Sequence, residues 1–210
     1  MSGQYKVTDL YSFVTIPKLP ATTLDFIVSK KKQQLIDIAL NLFISEGFHA
    51  TGIDRIVEVS GISKTTMYRH FQSKEVLIRD ALFTFSQHLQ AAWELDDPHL
   101  LSTQQLLLAR FDELEDLVQS KHFSGCVFLN ASAEYPDEEN LIHRVAIAHK
   151  AASLAETKRR LASIEDTDDN LALTIELIYE GVIARLLVQQ DLGLIQTAKK
   201  AVTALLKSKQ

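Results

Sequence analysis

The sequence has 210 residues, 46% hydrophobic and 23% charged, enough for one large domain or two small ones, each with a core. Seven Gly and four Pro are too few for a turn-rich all-β fold, and the single cysteine, Cys126, excludes an intrachain disulfide and fits a reducing cytosol. The net charge of −5 is uneven: residues 1–80 carry ten Lys or Arg against eight Asp or Glu, and residues 81–210 carry twelve against nineteen, a split that suits contact with DNA at one end only.

Residues 1–29 are irregular, punctuated by Pro17 and Pro20, with a short apolar stretch from Leu10 to Ile16. They are expected to form an N-terminal extension. Lys6, Asp9, Lys18 and Asp25 interrupt its apolar stretches, so no signal peptide is expected. No apolar run approaches the roughly 18 residues that a membrane span needs, so the expected compartment is the cytoplasm, without a membrane partner.

From Lys30 the pattern turns helical. Leu35, Ile38, Ala39, Leu42 and Phe43 form one stripe of a 3.6-residue helix, and Gly47 supplies a left-handed stop. Lys30, Lys31 and Lys32 oppose the dipole where this helix begins. They read either as a solvated, frayed end or as an arm on phosphates or in the minor groove. Thr51, with Asp54 three residues on, resembles a capping box for a short second helix ending at Gly61. Ser63 can cap a third helix, Lys64 to His70, and Ser73 a fourth running through Leu77, Ala81, Leu82 and Phe85. Three short helices with a Gly turn between the second and third predict a helix-turn-helix. Further helices are expected near 100–120, 124–134, 137–163, 170–190 and 194–207, with breaks at Tyr135-Pro136-Asp137 and from Ser163 to Asn170.

At these residues the chain resembles the tetracycline-repressor family. Leu35 to Phe43 runs into Glu46-Gly47-Phe48-His49-Ala50-Thr51 like the family's opening. Ile53-Asp54-Arg55-Ile56, Gly61-Ile62-Ser63-Lys64, Thr66-Met67-Tyr68-Arg69-His70-Phe71 and Gln72-Ser73-Lys74-Glu75-Val76-Leu77 follow in order and spacing. The likeness covers roughly residues 30 to 80, and Gly125 to Ala131 looks like the effector domain of one subgroup. Thr65 departs from the pattern, which often has Gly there. The resemblance implies an all-α protein: an extension at 1–29, a three-helix DNA-binding domain at 30–80, and a helical effector-binding and dimerisation domain at 81–210. It also implies a dimeric repressor of a pseudo-palindromic, double-stranded operator, controlled by a small-molecule effector. The alternative is a helical small-molecule-binding or interaction protein without operator binding.

The side chains give each role a physical basis. Met67 and Phe71 should pack inward, leaving Lys64, Thr65, Thr66 and Arg69 for the major groove, where Lys donates to guanine and a Thr methyl packs on thymine. Tyr68, His70 and Lys74 look like phosphate contacts, and Thr51 could serve so at the second helix. His70 reads equally as a histidine packed beside Phe71. Phe85, Leu89, Trp93, Phe111, Phe128 and Tyr179 could line an apolar effector pocket with Asn130 or His149 as polar anchors, or could be plain core. Leu171 to Leu187 is apolar all round the helix and Leu194 to Leu206 adds a second stripe. One small domain can hardly bury both, so a homodimer through Ile178, Val182, Leu186, Ala198, Val202 and Leu205 is expected.

Cys126 reads as a buried, inert thiol rather than a redox sensor. Histidines such as His143 and His149 lack metal-ligand spacing, and the acidic residues fall on expected solvated faces. No metal, cofactor or catalytic constellation is expected, so the chain is not expected to be an enzyme.

Overall fold

The structure is a computed structural model that describes residues 30–94, 101–162, 164 and 169–207. The expected extension at 1–29 and most of the break between Ser163 and Asn170 lie outside the described residues. Those described are helical, without strands: α1 (Lys30–Glu46), α2 (Ile53–Ser60), α3 (Lys64–His70), α4 (Lys74–Trp93), α5 (Thr103–Gln119), α6 (Val127–Glu134), α7 (Leu141–Leu161), α8 (Asp169–Val188) and α9 (Leu192–Lys207). They fall into two compact units. One holds residues 30–91 with 127–147, the other 92–126 with 148–207.

In the first unit, α1 packs against α2 and α3, and α2 against α3. The predicted α1 stripe is buried, joined by Ile36 and Leu40. Each Leu, Ile or Phe among them contributes on the order of 1.5–3 kcal/mol. Gly47, at φ 89°, ends α1 and Gly61, at φ 65°, ends α2, both in the left-handed region that a Cβ disfavours. Ser63 caps α3 by accepting the Thr66 N–H at 3.2 Å, and Ser73 accepts the Val76 N–H at 3.2 Å as α4 begins.

The expected capping box at Thr51 is absent. Gly52 is the N-cap of α2, without a side-chain bond. The Thr51 hydroxyl donates backward, to the carbonyls of Gly47 at 2.7 Å and Leu42 at 3.3 Å. Tertiary burial redirects it: the residue is fully enclosed and ties the α1–α2 turn to the end of α1.

In the second unit, α9 packs on α5 and α8 around Leu107, Phe111, Leu114, Ile175, Leu186, Ile195, Val202 and Leu206. Ser102 and Gln105 form a full capping box at α5. Two helices begin later than expected. Asp137 and Asn140 accept the N–H groups of Glu139 and Ile142, turns that delay α7 to Leu141. Gly125, at φ 85°, precedes α6, and a Cβ there would meet Leu187 at 2.8 Å, so chain and helix approach too closely for a side chain.

Candidate functional site

The reader is built on two fully buried residues. Met67 and Phe71 hold one side of α3 in the core of the first unit. The other side presents Lys64, Thr65, Tyr68 and Arg69 to solvent, with Thr66 and His70 half-buried. The Ser63 hydroxyl donates to Thr66 Oγ1 at 2.9 Å, so cap and side chain brace each other. Lys64 Nζ sits 2.8 Å from Asp54 Oδ1, whose hydrogen bond and charge raise the ammonium pKa above its ordinary value. Contact with a base would exchange that exposed partner. His70 lies against the Phe71 ring, centroids 6.4 Å apart.

Lys74 Nζ donates to the His49 carbonyl at 3.3 Å, and Lys32 pairs with Asp80 at 3.3 Å above the Phe71 ring. Thr51 leaves the set of phosphate candidates, because its side chain has no exposed surface.

The expected pocket residues separate between the units. Phe85, Leu89, Phe128 and Asn130 belong to the first, where Phe85 and Phe128 stack at 5.9 Å. Trp93, Phe111, His149 and Tyr179 belong to the second. There Trp93 lies 5.9 Å from the His149 ring, and Phe111 meets Tyr179 edge-on at 5.2 Å. Trp93 lines a cleft with Leu107, Arg110, Ser153, Thr157 and Arg160.

Charged and hydroxyl side chains line this cleft beside Trp93 and Leu107. Arg110 pairs with Glu176 and lies over the Tyr179 ring at 3.8 Å. Ser153 Oγ donates to Glu176 Oε2 at 2.8 Å, and Thr157 Oγ1 to Oε1 at 2.6 Å. Burial alone would raise the Glu176 carboxyl, but the Arg110 charge and these hydroxyls hold it below its ordinary value. Burial drives the Tyr179 phenol up to about 12 and the His149 imidazole down to about 3, with Lys150 and Arg110 adding to the latter. Glu176 thus overturns the expectation that the acidic residues face solvent. The signal was in α7, where the polar residues His149, Ser153, Thr157 and Arg160 recur at helical spacing on the buried side, between Ile142, Ala146 and Leu161.

The expected dimer face needs correction too. Val182, Leu186, Ala198 and Val202 are buried in the core of their own chain, with Ile178 and Leu205 packed against it. The side of α8 left open carries Leu173, Leu177, Gly181, Ala184 and Val188. An all-round apolar helix gives no phase, so the sequence could not say which side the chain's own core would take. Cys126 is half-buried rather than buried, with Lys150 Nζ 3.4 Å from its sulfur. Among the described residues no His, Cys, Asp and Glu cluster could hold a metal, and no helix is long and apolar enough to cross a membrane.

A capped reading helix on a buried Met–Phe pair, preceded by a Gly turn and two supporting helices, defines a helix-turn-helix transcriptional regulator. Residues 35–81 match the family model of the bacterial regulatory proteins of the TetR family. The HTH-type transcriptional regulator YjdC of Escherichia coli is 29% identical over 175 residues, which cover 81% of this chain and 90% of that protein. A TetR-family transcriptional regulator from Streptomyces coelicolor superimposes with a TM-score of 0.76 at 28% identity, covering 85% of this chain and 95% of the other. A TetR-type regulator from Streptomyces avermitilis gives 0.76 at 26% identity, with 86% and 98% covered. Residues 35–81 thus carry the helix-turn-helix of the TetR-family regulators, and over most of its length the chain is similar to transcriptional regulators of that kind.

Proposed function

We propose that the chain acts in the cytoplasm as a homodimeric, effector-responsive repressor. Residues 30–80 read a pseudo-palindromic operator, and residues 81–210 take up a small molecule and join the protomers. The observation that carries the DNA reading is the two-sided character of α3, with Met67 and Phe71 enclosed and Lys64, Thr65, Tyr68 and Arg69 exposed. Arg69 and the Thr65 and Thr66 side chains share the base-reading role with Lys64, while Tyr68, His70 and Lys74 serve phosphates. The cleft beside the buried Arg110–Glu176 pair supports effector binding: buried charge at the cost of apolar packing is typical of a site rather than a core. The uncovered Leu173–Leu177–Gly181–Ala184–Val188 stripe supports the dimer, its small residues letting two helices approach closely.

The test is a mobility-shift titration on the DNA upstream of the chain's own coding sequence, repeated across salt concentrations. Lys74→Ala should weaken binding to every sequence and flatten the salt dependence by about one unit of slope, because a phosphate is the same at every step. Lys64→Ala should lower operator affinity by about 10- to 100-fold and relax preference at one base position. If both variants scale all sites equally, Lys64 is not a reader. If the unaltered chain shows no preference for that DNA, ligand binding without operator recognition becomes the better reading.

A further inference from the structure

The turn between α1 and α2 is held from outside the helix-turn-helix. After Gly47 at φ 89°, the N–H groups of Phe48 and His49 point the same way. Both donate to one carboxylate, that of Glu134: Phe48 to Oε1 at 2.9 Å and His49 to Oε2 at 2.6 Å. Two successive N–H groups converging after a left-handed residue form an anion-binding nest, and a side-chain carboxylate occupies it here. Glu134 is the last residue of α6. A carboxylate opposes the helix dipole at that end, so α6 itself gives no reason for glutamate there. The nest does.

The neighbours lock the same turn. The Phe48 ring is fully buried and stacks on Phe43 at 5.3 Å. Tyr135, the residue after Glu134, meets the His49 ring edge-on at 4.7 Å. From the opposite side Lys74 Nζ reaches the His49 carbonyl at 3.3 Å. One three-residue segment therefore has its donors on Glu134 and its acceptor on Lys74, the lysine assigned above to a phosphate.

We propose that Glu134 is a positioning residue for DNA binding: its carboxylate in the Phe48–His49 nest fixes the α1–α2 turn, and through the turn the placement of Lys74, so that operator binding depends on the seating of α6. The inference rests on the operator-binding reading of the chain. It makes the end of α6 part of the DNA reader, although the side chain touches no DNA.

The experiment uses the full-length chain with Glu134→Gln, Lys74→Ala and both together, titrated against the chain's own upstream DNA and against unrelated DNA. Amide exchange at Phe48 and His49 is followed in parallel. Glutamine keeps an acceptor but loses the charge, so helix content should be unchanged while exchange at the two amides accelerates. Operator affinity should fall on the order of tenfold, the weight of one charge-assisted bond. The salt slope should fall as it does for Lys74→Ala. The double variant should be no weaker than Lys74→Ala alone, because both substitutions remove the same placed contact. Additive losses, or a lower melting temperature with the salt slope of the unaltered chain, would mean a merely structural role and overturn the proposal. Variants that bind like the unaltered chain overturn it as well. An unaltered chain without preference for its upstream DNA overturns the operator reading and the positioning role with it.

Discussion

At the scale of single residues, the second unit makes stability depend on polar groups withdrawn from water. Well above pH 6.5 His149 is neutral in both the folded and unfolded chain, so its contribution is complete. As the pH falls from 6.5 toward about 3, the unfolded chain takes up a proton that the folded chain refuses, and stability declines. By pH 5.5 the loss relative to pH 7.5 and above approaches about 1.4 kcal/mol. His149→Gln should flatten this dependence, and melting temperatures at pH 7.5 and 5.5 check it; an equal drop in both proteins would place the sensitivity elsewhere. The Arg110–Glu176 pair gives a second expectation. Arg110→Met alone strands a buried carboxylate and should cost about 3–5 kcal/mol in urea denaturation, whereas Arg110→Met with Glu176→Leu should recover most of it. Neither group stood out in the sequence. A lone Arg and a lone Glu, 66 residues apart, look like surface residues until the fold brings α5 and α8 together.

Elements were legible where their signals are local. Ser63, Gly61 and Gly47 act within a few residues of themselves, so the ends of α1, α2 and α3 fell where caps and stops predicted. Ser63→Ala should cost about 1 kcal/mol by leaving the Thr66 N–H without its acceptor. Gly61→Ala meets no neighbouring atom, so its cost should be the backbone strain of φ 65° alone, about 1–2 kcal/mol. Thermal unfolding of the two variants measures both, and a neutral Gly61→Ala would contradict the assigned backbone. What failed to show was phase and distance. Thr51 looked like a cap because its deeper acceptors, the carbonyls of Leu42 and Gly47, appear only when the turn folds back. The side of α8 facing its own core was invisible because the helix is apolar all round. The two faces of α3 were legible, since a buried Met and Phe four residues apart leave the polar positions only one direction.

At the scale of the whole molecule, the proposed dimer makes the two sides of α8 separable by experiment. Leu177→Asp lies on the open stripe, with 63% of its surface exposed, and should yield folded monomers that lose operator affinity. Leu186→Asp lies in the chain's own core and should unfold the second unit rather than dissociate it. Sedimentation combined with circular dichroism distinguishes the two; a stable dimer of Leu177→Asp would exclude this stripe. Two-fold symmetry also requires two readers about one DNA turn, or a multiple of it, apart, so a footprint over one asymmetric half-site would count against the assembly.

The buried polar residues of α7 have a consequence for calorimetry. A ligand entering an apolar cavity removes oily surface from water and leaves a large negative heat-capacity change. A ligand that settles beside Ser153, Thr157 and Arg110 instead trades one set of hydrogen-bond partners for another. Its binding heat should therefore vary little with temperature, and swapping buried polar partners makes the fit exacting in shape and protonation. The thermogram of an effector would show from its slope alone whether greasy contact or polar exchange selects it.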